Sequence, residues 1–312
     1  MTNVLDRFPQ GRLAAANEAN WRAGFCSLMT DWPGGTVHRE PGLIWHGSHV
    51  PHPLFNSVLW SRFTLREADA AIANVLDVFQ ARRVPLWWWL FPASAPYDLG
   101  QRLEAHGLAR EDDLPGMAVD IADLPCNPPG PPGMTILRVA DNAVGLAWTE
   151  AYASGAGSPD FVAAALGDIV TGDCHEEAAL GWRHYVGWLD GGPAACASLF
   201  LGAGVAGLYN VATVPEARGQ GIGSAMAIHA LREARRLGYR IGVLQATPAG
   251  IPLYEHLGFA CCCAYPQFRW NPAITGQESS AYLTNYEVNN DPREATPFEA
   301  SGIPGLQRHH AD

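Results

Sequence analysis

The run Thr213-Val-Pro-Glu-Ala-Arg-Gly-Gln-Gly-Ile-Gly-Ser224 constrains this chain more than any other stretch. It leads an apolar, β-branched strand, Leu208–Val214, into a helix over Ile222–Leu237. The apolar residues Ile222, Met226, Ala230, Ala234 and Leu237 recur there at helical spacing. Between strand and helix stand Gly219, Gly221 and Gly223. Alternating glycines bare their backbone N–H groups and let a large anion come close. The helix start adds unpaired N–H donors and the positive end of the helix dipole. Arg218 adds a charge shaped for phosphate oxygens. The physical reading is a pyrophosphate cradle. A Walker-type loop needs a lysine after its last glycine, and here Ser224 follows Gly223; the dinucleotide fingerprint G-x-G-x-x-G also differs from the G-x-G-x-G found here. Downstream come a strand, Arg240–Ala246, a short helix, Ile251–Leu257, that holds Tyr254, and then Gly258-Phe259.

Arg218-Gly-Gln-Gly-Ile-Gly223 resembles the R/Q-x-x-G-x-G/A signature of the GNAT superfamily of N-acetyltransferases. Pro215 and Leu253-Tyr-Glu-His-Leu-Gly-Phe259 match the same family in order and spacing. The resemblance covers Thr135–Pro272 and is densest over Gly207–Phe259. It implies an α/β fold, acetyl-CoA as co-substrate and an amine as acceptor. Carried over residue by residue, it implies that Thr213, Val214, Arg218, Gly219, Gln220, Gly221, Ile222, Gly223 and Ser224 hold the acyl-CoA. An N–H near Thr213 or Val214 would polarise the thioester carbonyl. Tyr254 would be the catalytic residue facing the departing thiolate. Gln245 and Thr247, ending the next strand, would line the pantetheine channel. Many family members carry a glutamate where this chain has Gly207, so the resemblance names no general base. Tyr209 and Asn210 on the strand, and Glu150 and Asp160 flanking the loop between the first two helices of this half, are the candidate acceptor contacts.

Acyl transfer to an amine sets its own demands. The carbonyl must be polarised and held near the amine. An amine of pKa about 10.4 is only about a thousandth neutral at pH 7, a cost of roughly 4–5 kcal/mol. Proton transfer from a phenol of pKa about 10 to a thiolate whose thiol has pKa about 8.5 is about 2 kcal/mol uphill, so Tyr254 is read mainly as a hydrogen-bond donor.

The order of elements repeats. Leu54-Phe-Asn56 leads through a helix to Ala81-Arg-Arg83, and Leu208-Tyr-Asn210 through a helix to Ala234-Arg-Arg236; Asn to first Arg is 26 residues in one and 25 in the other. Because Asn210 has a counterpart in Asn56, a structural job is expected for it as well. The chain thus resembles a tandem GNAT, with two mixed-sheet α/β domains and helices on both faces of each sheet. The expected division is a degenerate domain over 1–124, a linker over 125–133 stiffened by five prolines, a catalytic domain over 134–274 and a polar tail over 275–312. The first half lacks the glycines, having Arg62-Phe-Thr-Leu-Arg-Glu-Ala68 at the cradle position, and has Leu103 where the second has Tyr254. It is expected to bind no CoA and to wall one side of the substrate cleft. Thr64 and Glu67 form a capping-box signature there. Trp87-Trp-Trp89 reads as core packing on a strand buried on both faces.

A net charge of −11, from 31 acidic and 20 basic residues, disfavours nucleic acid or an anionic membrane as the main partner. There is no signal-peptide pattern or membrane-length apolar run, and seven scattered cysteines fit a reduced, cytoplasmic protein. Cys261-Cys262-Cys263 is read as small buried residues of a strand, pointing to alternate faces and so making a poor chelate; no metal site is expected. The leading expectation is an acetyl-CoA-dependent N-acetyltransferase acting on a small-molecule amine by direct attack in a ternary complex. The alternatives are a GNAT-fold enzyme using another acyl-CoA or running another reaction, and a non-catalytic acyl-CoA-binding sensor. Aminoacyl-tRNA-dependent transferases share the doubled layout, but the glycine cradle and acidic charge disfavour them.

Overall fold

Alanine-rich Gln10–Asp31 forms α1, and Pro33-Gly34-Gly35 ends it. The computed structural model describes residues 10–125, 130–173 and 181–273, which pack as a single compact unit. The first half continues with β1 (Gly35–Glu40), β2 (Leu43–Ser48), β3 (Ser57–Ser61), α2 (Ala68–Arg82), β4 (Leu86–Trp89), α3 (Leu99–Ala105), β5 (Ala109–Arg110) and β6 (Leu114–Asp120). The second has β7 (Thr135–Arg138), α4 (Asn142–Ala156), α5 (Asp160–Asp173), β8 (Trp182–Leu189), β9 (Gly192–Gly202), β10 (Val205–Thr213), α6 (Ile222–Arg236), β11 (Ile241–Gln245), α7 (Ile251–His256), β12 (Ala260–Tyr265) and β13 (Gln267–Trp270). Asp141 caps α4 through Oδ1, which accepts from the Val144 amide at 2.9 Å. Residues 126–129 of the expected linker and the whole expected tail lie outside the described residues.

The elements form two mixed sheets, ordered β1-β2-β3-β4-β13-β5 and β12-β6-β11-β10-β9-β8-β7. Each sheet takes an interior strand from the other half. Strand β6 pairs antiparallel with both β11 and β12, and β13 pairs antiparallel with both β4 and β5. The break at 125–133 separates two runs of elements, while the sheets themselves interlock across it.

Helix α1 belongs to the first half by sequence but lies against the second sheet. Asn17 Nδ2 donates to the carbonyls of Met117 (3.3 Å) and Leu244 (3.2 Å). Asn20 Nδ2 donates to the carbonyls of Phe200, Gly202 and Val205. Trp21 sits between Trp89 of β4 (centroids 5.0 Å apart) and Tyr209 of β10 (6.0 Å). One apolar core therefore runs from α1 and β4 through α4 and α5 to β8–β10. A second fills the space between the other face of the second sheet and α6 and α7. A third packs α2 and α3 on the first sheet, where Trp88 is fully buried, so the tryptophan run is core.

Candidate active site

Strands β10 and β11 run parallel and pair only at Ala206↔Gly242 and Gly207↔Val243. Beyond Gly207 no backbone pair joins them among the described residues, and a gap opens. On its other side β10 keeps pairing with β9, but the register shifts between Tyr209 and Ala212. Asn210, in that bulge, has φ 50°, a left-handed conformation that asparagine tolerates. Past the bulge, Val214 donates its amide to Ala194 O at 3.0 Å. Thr213 lies between the Ala212↔Cys196 pair and that bond, so antiparallel alternation turns its amide away from β9, toward the gap. Of the two carbonyl-polarising donors expected from sequence, Val214 is therefore already engaged and Thr213 faces the right way.

The glycine run follows. Gly219 (φ 76°) and Gly221 (φ 78°) take left-handed conformations, and a Cβ on Gly219 would touch nothing. Gly221 occupies the cap position of α6 and, as a glycine, has no side chain to bond the first amides of that helix. Ile222 is buried in the core, so only its backbone faces the loop; Ser224 is also buried, and Gln220 is exposed. Gly223 lets α6 approach α7, because a Cβ there would lie 2.9 Å from Leu253 Cδ1. Arg218 is exposed but not loose. Its Nε donates to Thr213 O at 3.1 Å and its Nη2 to Gly155 O at 2.9 Å, which ties the end of β10 to the end of α4. Three of its five N–H donors remain for an anion. Left-handed glycines, an uncapped helix start and a pinned arginine fit the diphosphate of a CoA.

Tyr254 lies on α7, its ring 5.6 Å from Phe259. Burial pushes its phenol well above the ordinary value. A weaker acid makes full proton transfer to a thiolate more uphill still, so Tyr254 is suited to donate a hydrogen bond and keep its proton.

The first half repeats the parallel strand pair but joins the strands beyond it. Strands β3 and β4 pair in parallel at Ser57↔Trp87 and Val58↔Trp88, the counterpart of the β10–β11 contact. The space beyond is closed: Ala95 donates to Ser61 O (3.1 Å), Phe63 donates to Ala95 O (3.0 Å), and Trp88 Nε1 donates to Ser61 Oγ (3.1 Å). At the start of α2, Glu67 Oε2 accepts from the Thr64 amide (3.1 Å) and hydroxyl (2.8 Å), placing a carboxylate where α6 leaves its amides bare. Leu103 matches Tyr254 in backbone geometry, each accepting from the amide five residues on, Leu108 and Phe259, past a left-handed glycine.

The acceptor candidates divide. Tyr209 is buried and donates to Asn20 Oδ1 at 2.6 Å, which makes it a brace to α1. Asn210 Nδ2 lies 3.4 Å from Ser198 Oγ, which in turn is 2.8 Å from His184 Nδ1. The supposed repeat partner Asn56 is extended and braces a loop through Ser48, Val50 and His52, so the match between the two asparagines carries no shared role. Glu150 is exposed on α4. Asp160 is the first residue of α5, with Pro159 O accepting the first helical bonds from Val162 and Ala163. Among the described residues neither acid bonds to a group at the gap. Sequence reasoning missed the His184–Ser198–Asn210 chain and the asparagines of α1. Their signals were polar residues at inward positions of apolar strands and, at Asn17 and Asn20, on the buried face of a helix.

Gly207 has a structural explanation. A Cβ there would overlap Asn20 Oδ1 and lie 2.5 Å from Tyr209 Cε2. The room a side chain would need there is filled by the Asn20 amide from α1 and the Tyr209 ring.

Residues 158–259 match the family model described as "Acetyltransferase (GNAT) family". No curated protein matches the sequence. Among solved structures, a GCN5-related N-acetyltransferase from Kribbella flavida aligns with TM-score 0.63 at 19% identity, covering 82% of this chain and 96% of the other. A tandem GNAT protein from the clavulanic acid biosynthesis pathway aligns with TM-score 0.55 at 14% identity, covering 83% and 96%. A GCN5-related N-acetyltransferase from Sphaerobacter thermophilus gives 0.55 at 18% identity, covering 85% and 95%. Residues 158–259 thus match a GNAT acetyltransferase family model, and the chain shares its fold with these structures, a tandem GNAT protein among them.

Proposed function

We propose that this protein is an acyl-CoA-dependent N-acyltransferase that uses acetyl-CoA and acylates the amine of a small molecule by direct attack in a ternary complex. The observation that carries the reading is the open gap between β10 and β11, with the Thr213 amide turned into it and the uncapped start of α6 beside it. A bound acyl-CoA supplies the thioester and the thiolate leaving group. The Thr213 amide donates a hydrogen bond to the carbonyl oxygen as negative charge develops on it, a fixed dipole in place of mobile water. The α6 amides and Arg218 hold the diphosphate. Tyr254 donates a hydrogen bond to the sulfur. Asn210, held from behind by Ser198 and His184, offers an amide oxygen that would accept a hydrogen bond from the amine, and the amine proton is given to water. The acidic balance of the chain, 31 against 20, suits a cationic acceptor. The reading also takes the first half, over 1–124, as a non-binding support.

Calorimetry with acetyl-CoA, followed by thiol release across a panel of amines, tests this. The expected result is one acetyl-CoA bound per chain and amine-dependent thiol release. Two bound per chain would overturn the account of the closed first half. Binding without release on any amine would overturn the transferase reading and leave a sensor or another acyl donor. No binding would remove the cradle.

A further inference from the structure

Cys261, Cys262 and Cys263 follow one another on β12. A regular strand would send neighbouring side chains to opposite faces, and the sequence suggested buried residues of that kind. The strand is not regular. Its register against β6 shifts, so that Cys261 faces Met117, Cys263 faces Gly116, and Cys262 is the extra residue of a bulge. The bulge brings Cys262 Sγ and Cys263 Sγ to 3.7 Å. Gly116 makes the room, since a Cβ on it would stand 2.5 Å from Cys263 Sγ. Cys262 Sγ also donates to Gly116 O at 3.3 Å and lies 3.9 Å from Asn17 Nδ2. Strand β12 is the outermost of its sheet, Cys261 is exposed, and the other two are half-buried. Hydrogen bonds from Cys263 and Asn17 hold the Cys262 thiol below its ordinary value, and the same partnership raises that of Cys263.

We propose that Cys262 and Cys263 form a reversible oxidation site, closing to a disulfide between adjacent residues when the protein meets a hydroperoxide. The Cys262 thiolate attacks the peroxide oxygen, the O–O bond breaks and hydroxide leaves, giving a sulfenic acid on Cys262. The Cys263 sulfur then attacks Cys262 Sγ, the S–O bond breaks, a second hydroxide leaves, and the protons released by the two thiols make two waters. Two sulfurs lose one electron each and the peroxide gains two. The sulfurs must close from 3.7 Å to about 2.05 Å. Neighbouring Cα atoms stand about 3.8 Å apart, nearer than most disulfides allow, so the bond is strained and easily reduced by a small thiol. Closure draws Cys262 off Asn17, whose other bonds reach Leu244 O and Gln245 at the edge of the gap.

The test uses the full chain and hydrogen peroxide. Free thiols are blocked with one alkylating reagent, the sample is reduced with dithiothreitol, new thiols are labelled with a second reagent, and peptides are mapped. In the peptide spanning 261–263, Cys261 should carry the first label and Cys262 and Cys263 the second. C261S and a C126S/C174S double variant should behave the same. C262S should react at least about tenfold more slowly, and C263S should leave a sulfenic acid trapped by dimedone. Pairing with Cys126 or Cys174, a disulfide between chains through Cys261, oxidation that dithiothreitol does not reverse, or no second label at Cys262 and Cys263 would each overturn the proposal. Mapping of the unmodified protein decides the case even if a cysteine variant fails to fold.

Discussion

At Gly207 a side chain would collide with the amide that α1 places beside Tyr209. Gly207→Ala is therefore expected to destabilise the protein by about 1–3 kcal/mol through overpacking, read as a lower midpoint in urea with an unchanged m-value. Restoring a glutamate at this position would be worse, so the missing carboxylate is a consequence of how the halves pack. Tyr254 predicts the opposite pattern. Tyr254→Phe keeps the ring and its contact with Phe259 and removes only the hydroxyl. Stability and acyl-CoA affinity should hold while kcat in the thiol-release assay falls about ten- to hundredfold, the loss of one hydrogen bond made in the transition state. An unchanged kcat would remove Tyr254 from the chemistry.

Single elements carry their own balance of charge and burial. On β2, His46 is fully buried, and burial pushes its imidazole down to about 4. The folded value lies below the unfolded one of about 6.5, so the unfolded chain binds the proton more readily. Stability is therefore whole above pH about 6.5 and is lost as pH falls toward about 4, by up to about 3 kcal/mol for this residue. Urea titrations at pH 7 and pH 4.5 should show the drop, and His46→Gln should flatten it. The helices α2 and α6 differ in the residues that lead into them. Glu67 folds back onto Thr64 just ahead of α2, whereas left-handed glycines lead into α6. Both were legible in sequence, because capping and glycine spacing are local chemistry.

Across the whole molecule, the interlocked strands decide what can stand alone. A fragment over 134–274 would lack β6 between β11 and β12, and one over 1–124 would lack β13 between β4 and β5. Each would expose interior strand edges. Expressed separately, the fragments are expected to be aggregated or unfolded by circular dichroism and size-exclusion chromatography, and co-expression is expected to return a folded pair. A folded, monomeric 134–274 fragment would show that the exchange is dispensable. The sequence alone determined the glycine spacing ahead of α6, the helix that carries Tyr254, the doubled order of elements and the lack of those glycines in the first half. These rest on residue spacing and glycine conformations, set over a few residues of chain. Only the tertiary structure decided that the halves trade strands and that Asn20 of α1 fills the space beside Gly207. It also decided that Val214 is engaged while Thr213 faces the gap, and that a bulge turns two neighbouring cysteines together. Those outcomes depend on register and on contacts between residues up to 245 positions apart, such as Asn17 and Cys262, which local pattern does not encode.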